Sequence, residues 1–279
     1  MPRRPRVLYV TDLAYEARGR RYCDEDIFLT SRLRASFDLA LCHPLDATAL
    51  MDGFDGVVVR NSGPVLGHQE AYAAFRAEAL ARGTTVYNPL TGRADMAGKQ
   101  YLPDLTRAGH PVIPTVESAA DLDRLPEADA YVVKPKRGAD SIGLRVVDPA
   151  EARALPAAQD VELLIQPRID FVHEVSFYFV DRTLQYALYA PDPERRWDLR
   201  PYEPAAADRA FAQHFVDWNA LPYGIQRVDA CRTREGALLL VELEDLNPYL
   251  SLHVLDAATR DAFVAAMTAS VRRAVTPLP

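Results

Sequence analysis

Leu238-Leu-Leu-Val-Glu242-Leu-Glu244-Asp-Leu-Asn247-Pro248 places two acidic residues, two apart, at the end of a strongly apolar run. Such a run predicts a buried strand. A carboxylate at the end of a buried strand costs free energy unless something positive satisfies it. Residues i and i+2 of a strand point to one face, so Glu242 and Glu244 aim together at one cation. A hard divalent ion such as Mg²⁺, itself bound to phosphate, is the natural partner.

The preceding strand brings more charge to that face. With a turn at Thr233-Arg-Glu-Gly236, residue 232 pairs with 237, Arg227 lies opposite Glu242, and Asp229 lies opposite Leu240, diagonal to Glu242. The side-chain period of two then puts all four charged groups on one face. Two readings stand: Arg227 neutralises the carboxylates in a buried ion-pair network, or a metal does. One arginine does not balance three buried carboxylates, which puts the metal ahead. A slip of one residue would break this argument.

Outward from the hairpin, the N-terminal third alternates strands and helices: strands at Val7–Val10, Leu39–Cys42, Gly56–Arg60 and Thr84–Tyr87, helices at Asp26–Ser36 and Gln69–Ala81 with Gly83 as the stop. That order predicts a parallel, three-layer α/β unit ending near residue 95. A helix over 96–108 carries Lys99, and Ser118-Ala-Ala-Asp121 opens another helix. Strands follow at Tyr131–Lys134 and Gly143–Val147, then a helix capped by Asp148-Pro149 with Glu151, then strands at Val161–Gln166, Glu174–Val180 and Leu184–Ala190. Pro191–Pro204 reads as a long loop, and long loops in compact domains are often functional. A helix over Ala206–Trp218, strands at Ile225–Arg232 and Ala237–Glu244, and a final helix capped by Asp256 complete the chain.

Between Lys134 and Val147 the loop carries Lys136, Arg137, Gly138, Ser141 and Gly143. Glycines let backbone N–H groups approach an anion, and the cationic side chains add charge, so the loop is either a phosphate cradle or an ordinary solvated hairpin. It is not the GxxxxGK[ST] loop, and no GxGxxG follows a strand.

Lys99, Lys134, the glycine loop, Gln166-Pro-Arg-Ile169, Glu174, Arg227/Asp229 and Glu242/Glu244/Asn247 run in that order. Here, from about Val57 to Leu252, the chain resembles the ATP-grasp superfamily, which includes glutathione synthetase, D-alanine–D-alanine ligase and the ligases that add glutamate to a ribosomal protein. The most specific pieces are Val132-Val-Lys134-Pro-x-x-Gly138-x-x-Ser141-x-Gly143, Arg227-Val-Asp229, and Glu242-x-Glu244 before Asn247-Pro248. The resemblance implies an α/β protein, α+β in its C-terminal half. Residues 1–95 would form a parallel-sheet domain, 96–166 a small nucleotide-clamping subdomain with its phosphate loop at 135–143, and 167–279 an antiparallel-sheet domain with the metal site.

Residue by residue, the resemblance implies that Lys99 and Lys134 hold the ATP phosphates and that Lys136, Gly138 and Ser141 belong to the loop covering them. Gln166, Pro167, Arg168 and Ile169 match the hinge whose backbone reads the adenine edge. Glu174 matches the carboxylate that holds the ribose hydroxyls, with a plain exposed strand position as the other reading. Asp229 and Glu242 match the Mg²⁺ ligands. The family has an asparagine two residues after the second ligand; this chain has Glu244 there, retained as a third ligand because glutamate serves Mg²⁺ as well. Asn247 is then a substrate contact or a turn residue before Pro248. Lys134, Arg227, Ser141 and Asn247 are the candidate catalytic residues. Arg60-Asn61 sits beyond a parallel strand, where open sheets bind ligands; it grips a substrate carboxylate or lies at a domain interface. Arg200, with Trp197 and Tyr202, forms a lid or an exposed loop.

The implied activity is an ADP-forming carboxylate–amine ligase using ATP and Mg²⁺, two ions, with Mn²⁺ admitted. A substrate carboxylate would attack the γ-phosphate, and an amine, from an amino acid or small peptide, would displace phosphate. The alternatives are a ring-closing enzyme of secondary metabolism of the D-cycloserine-forming type, a kinase that stops after phosphate transfer, and a non-catalytic nucleotide-binding module. Small-molecule partners are expected, and a homodimer is admitted.

Composition agrees. The 279 residues are 49% apolar and 25% charged, ordinary for a soluble globular protein. A net charge of −7 argues against a nucleic-acid scaffold. Three widely spaced cysteines, Cys23, Cys42 and Cys231, read as reduced thiols of a cytoplasmic protein. The apolar run Val7–Val10 is too short for a signal peptide. No segment approaches the ~20 apolar residues of a membrane span.

Overall fold

A computed structural model describes residues 3–17, 20–60, 67–137, 142–156, 162–246 and 248–276. Asn61, Gly138, Ser141 and Asn247 fall outside the described residues.

The N-terminal sheet is parallel. It is made by β1 (Arg6–Val10), β4 (Asp38–Cys42), β5 (Gly56–Val59) and β6 (Val86–Tyr87) in the order β4-β1-β5-β6; a short hairpin, β2 (Glu16–Ala17) and β3 (Arg20–Arg21), follows β1. Val7–Val10 and Gly56–Val59 are buried throughout, as strands covered on both faces must be. One face takes α2 (Ala47–Leu50) and α3 (Gln69–Arg82), through Ala47, Phe75 and Ala79. Gly83 ends α3 in the left-handed region (φ 66°), a conformation glycine adopts without steric cost. The other face takes α1 (Cys23–Leu33), which begins three residues before its expected start.

A three-stranded antiparallel sheet, order β8-β7-β9, consists of β7 (Tyr131–Pro135), β8 (Arg145–Val147) and β9 (Leu163–Pro167). The Asp148 capping box starts α5 (Pro149–Arg153) as expected. The third sheet is antiparallel, with order β12-β11-β10-β13-β14: β10 (Phe171–Val180), β11 (Thr183–Ala190), β12 (Arg200–Pro201), β13 (Ile225–Thr233) and β14 (Leu238–Glu244). One face of it carries α4 (Tyr101–Arg107) and α6 (Ala206–Asn219) through Leu102, Leu105, Phe215 and Val216. The last helix, α7 (Ala257–Val275), buries Phe263, Met267 and Val271 with Tyr9 and Val58 of the parallel sheet and Tyr178 and Tyr186 of the antiparallel one. Side chains of that size stabilise by about 1.5–3 kcal/mol each when fully buried, so α7 cements the two sheets together.

Three expectations change. Lys99 is not on a helix: a 3₁₀ turn at Asp95–Ala97 stops at Gly98 (φ 83°), and α4 begins only at Tyr101. Pro191–Pro204 is not one free loop, because Arg200–Pro201 pairs with Leu188 and Tyr189. The β13–β14 register also differs. Arg232 pairs with Leu238, one residue off the expected partner, and a bulge between Asp229 and Ala230 adds another residue. Asp229 therefore faces Glu242, and Arg227 faces Glu244. The turn end alone would have sent Glu242 to the opposite face; the bulge restores the parity.

Candidate active site

The bulge leaves its mark on burial. Leu240 and Leu243, three apart rather than two, both face the core, while Val241, Glu242 and Glu244 line a cleft of ≈ 160 Å³. Asp229, Arg227, Glu174, Ser176, Arg196 and Trp197 complete its charged and lid-side walls.

Arg227 organises one end. Its Nε and Nη2 reach Asp229 at 2.9 and 2.8 Å, Nη2 also donates to Glu244, and Nη1 donates to the Tyr249 carbonyl at 2.9 Å. Ser176 Oγ donates to Asp229 at 2.6 Å. Burial, followed by repulsion from Asp229 and Glu242, pushes the Glu244 carboxyl up to about 8, Arg227 opposing only in part. Lys99 organises the other end, its Nζ 2.6 Å from Glu242. There burial works against ionisation of Glu242, but Lys99 and Lys134 outweigh it and hold the carboxyl below its ordinary value. Lys134, at the end of β7, is depressed to about 8, mainly by burial.

Three carboxylates form a hard oxygen donor set suited to Mg²⁺. Burial chiefly, with repulsion from Asp229 and Glu242, keeps the Glu244 carboxyl raised despite Arg227 and Lys99. The residues fit a divalent cation in their donor atoms. As they stand, Asp229 and Glu244 are gathered on Arg227 and Glu242 on Lys99. Ligation requires the carboxylates to turn from these cations toward one centre.

The remaining expected residues divide. Glu174 lines the cleft, but Arg196 Nε binds it at 2.8 Å. Burial raises the Glu174 carboxyl, and Arg196 opposes that rise. Ligand pockets usually enclose ~300–1,000 Å³, so with Arg196 and Trp197 over it the cleft is closed down. Lys136 turns away to Glu117, 2.8 Å from its Nζ. The Gln166 side chain is buried against Thr115 at 2.8 Å, and the Arg168 N–H is taken by the Ala130 carbonyl at 2.9 Å, so that amide is not available to an adenine edge. Pro167 pairs with Tyr131 at the end of β9, and Ile169 follows just beyond it.

Arg60 is buried. It is 4% exposed, with Glu25 and Asp26 each 3.3 Å away, which fits the interface reading of the two. Glu25 in turn accepts from the Leu250 and Leu252 amides at 2.8 and 3.1 Å, so this cluster ties the parallel-sheet unit to the segment after β14. Arg200 is exposed and absent from the cleft wall, where Arg196 stands instead. The Tyr202 hydroxyl donates to Asp208 at 2.8 Å, and Tyr202 is not among the residues lining the cleft.

Two features had no sequence warning. Asp245, next to Glu244, is fully buried and accepts from the Ala94 and Met96 amides at 3.1 and 2.8 Å and from Asn219 at 3.0 Å. Asp95 accepts in return from the Asp245 amide at 2.6 Å. The end of β14 is thereby joined to the segment leading into Lys99. Second, a cavity of ≈ 600 Å³ meets the cleft at Tyr249 and is lined by Arg21, Asp24, Glu25, Phe28, His253 and Arg260, with Glu16 beside them. The Arg260 Nε is buried with no hydrogen-bond partner among the described residues.

No protein-family model matches the chain. The cycloserine biosynthesis protein DcsG of Streptomyces lavendulae is 28% identical over 251 residues, 76% of this chain and 82% of that protein. The crystal structure of D-cycloserine synthetase DcsG superposes with a TM-score of 0.72 at 24% identity, covering 94% of this chain and 99% of that one. D-alanine–D-alanine ligase from Bacillus anthracis, complexed with ATP, superposes with a TM-score of 0.65 at 14% identity over 98% and 99% of the two chains. The ATP-grasp ligase PsnB, complexed with a phosphomimetic variant of its minimal precursor, Mg and ADP, gives 0.64 at 16% over 94% and 98%. The described residues carry no helix long and apolar enough to cross a membrane. With its parallel first sheet, its small three-stranded antiparallel sheet and its five-stranded antiparallel sheet, the chain has the fold of these ligases.

Proposed function

We propose that the chain is an ATP-dependent, ADP-forming carboxylate–amine ligase. The observation that carries this reading is one cleft lined by Asp229, Glu242, Glu244 and Arg227, with Lys99 paired to Glu242 and Lys134 close enough to lower its carboxyl. Asp229, Glu242 and Glu244 would hold Mg²⁺, which when bound offsets the charge of the ATP phosphates. Lys99, released from Glu242, and Lys134 would hold phosphate oxygens. Glu174, released from Arg196, takes the ribose hydroxyls. Arg227 keeps a fixed positive charge where negative charge develops as the γ-phosphoryl group moves to the substrate carboxylate. The ≈ 600 Å³ cavity beyond Tyr249 presents Arg21 and Arg260 alongside Glu16 and Asp24, a two-sign lining suited to a small amino-acid-like substrate. Trp197, already on the cleft wall, would shield the acyl phosphate from water.

The reading is tested by incubating the protein with ATP, Mg²⁺ and a panel of amino acids. ADP and phosphate released only with the true substrate is the expected result. AMP release overturns the acyl-phosphate scheme, and nucleotide binding with no turnover favours a non-catalytic module. Mg²⁺ and Mn²⁺ titrations in the presence of ATP are expected to show two sites.

Ring closure within one substrate is the second reading. It is favoured by the likeness to DcsG and by a single two-sign cavity beside the cleft. A product of mass equal to one substrate less water supports it, and a product of two joined substrates overturns it.

A further inference from the structure

At the carboxyl edge of the parallel sheet, away from the carboxylate cleft, Asp12 follows β1, His43 follows β4 and His68 stands at the start of α3. Asp12 Oδ2 lies 3.2 Å from His68 Nε2 and 3.7 Å from His43 Nε2. One nitrogen or oxygen from each of the three lies within 4.8 Å of the others, and no other His, Cys, Asp or Glu trio among the described residues meets that test. We propose that Asp12, His43 and His68 form a binding site for a borderline transition metal, Zn²⁺ above all.

The donor set carries the argument. Two imidazoles and one carboxylate suit Zn²⁺ and its neighbours and are a poor match for Mg²⁺. Ligand atoms about 2.0–2.1 Å from a tetrahedral zinc lie roughly 3.3–3.4 Å apart, which the 3.2 and 3.7 Å separations bracket. The carboxylate is already aimed. Asp12 Oδ1 accepts from the Ala14 and Tyr15 amides at 2.8 and 3.1 Å, which leaves Oδ2 turned to both rings. Such outer partners hold a ligand in orientation. Burial works against ionisation of Asp12, but the Ala14 amide and the two histidines outweigh it and hold the carboxyl below its ordinary value. The side chains of Asp12, His43 and His68 are 10%, 33% and 21% exposed, sheltered yet open to an entering ion.

Two local facts bear on occupancy. The Leu45 amide donates to His43 Nδ1 at 3.3 Å, which puts the ring proton on Nε2. Ligation through Nε2 moves that proton to Nδ1 and gives up this long bond. His68 also lines a cavity of ≈ 20 Å³, room for about one water, together with Tyr72, whose buried hydroxyl has no hydrogen-bond partner among the described residues. Three protein ligands leave a zinc position for a water; separately, a water in that cavity would answer the Tyr72 hydroxyl. A metal here ties the ends of two parallel strands to the start of α3.

The test uses the full chain, dialysed against Zn²⁺ in excess Mg²⁺. Elemental analysis should find one zinc per chain, retained in Glu242→Gln, which excludes the carboxylate cleft as its source. His68→Ala, and independently His43→Gln, should weaken zinc binding beyond the ~10–100-fold that losing a supporting partner costs. Loading with Co²⁺ should give a visible ligand-field absorption that both histidine variants lose while their far-ultraviolet circular dichroism stays at the wild-type level. Zinc absent from the wild-type protein, zinc retained by the folded histidine variants, or zinc lost in Glu242→Gln overturns the proposal. None of these readouts depends on ligase turnover.

Discussion

Arg60 and Arg227 both sit at strand ends, each between two carboxylates, and they differ in what else those carboxylates meet. Around Arg60 the side chains of the arginine, Glu25 and Asp26 are 5%, 4% and 3% exposed. Asp26 accepts from the Tyr9 and Thr11 hydroxyls, and Glu25 from two backbone amides, so protein groups fill the acceptor capacity. Around Arg227 the arginine, Asp229 and Glu244 are 16–18% exposed on a cleft wall, and Glu242 stands nearby on Lys99. The same ion-pair chemistry gives a closed joint in one place and a partly open cleft wall in the other. Satisfaction of the spare lone pairs, rather than the presence of an arginine, separates the two.

The largest effect should come from breaking the closed joint. Arg60→Met leaves two buried carboxylates unpaired and should cost about 3–5 kcal/mol of stability, read as a lowered midpoint in chemical denaturation. Arg227→Met should cost less, because water reaches its partners, while activity falls more. Equal stability losses would erase the distinction. Next, Glu242→Gln should lower kcat/KM by roughly 10²–10³-fold with a melting temperature near that of the wild type; near-normal turnover would remove Glu242 from the proposed metal site.

Titration should sharpen the contrast. The Glu244 carboxyl, ordinarily near 4.5, sits at about 8 in the folded chain. The folded state thus holds a proton that the unfolded state has lost between those values. Its stabilising contribution is present below about pH 4.5 and disappears as pH rises through 8. Thermal melts without Mg²⁺ should show stability falling across that window. Glu25, raised to about 7 chiefly by burial, adds the same sign over the lower part. Glu244→Gln should reduce the slope across the whole window and abolish it above about pH 7, leaving the Glu25 share below. Mg²⁺ should raise the melting temperature more at pH 8 than at pH 6, since ligation competes with the proton. The smallest effect is expected from Arg196→Ala, which frees Glu174 and should lower the KM for ATP a few-fold; an increase would make Arg196 a nucleotide contact.

The sequence made the parallel unit, the two antiparallel hairpins and the charged face of β13 and β14 legible, because apolar periodicity and cap residues are local signals. What it hid was non-local. Gly56–Val59 is apolar throughout, so nothing along the strand shows whether Arg60 turns inward or outward. Its partners Glu25 and Asp26 look like an ordinary acidic first turn of α1. Asp245 reads as one more acid after Glu244, and its partners at Ala94, Met96 and Asn219 are far away in the chain. The cavity beyond Tyr249 draws on segments near residues 16–28 and 249–260, a juxtaposition that only the fold creates. Lys99 was misplaced for a local reason: Gly98 ends one short turn before the next helix can begin.

The bulge at Asp229 has a wider consequence. A β-hairpin normally transmits the geometry of its turn along its whole length, so one miscounted residue at the tip inverts every side chain down to the base. Here the hairpin is phased twice, once by the Thr233–Gly236 tip and again where Leu240 and Leu243 anchor it from below. The orientation of Glu242 and Glu244 is thus set by an apolar spacing of three as well as by the tip.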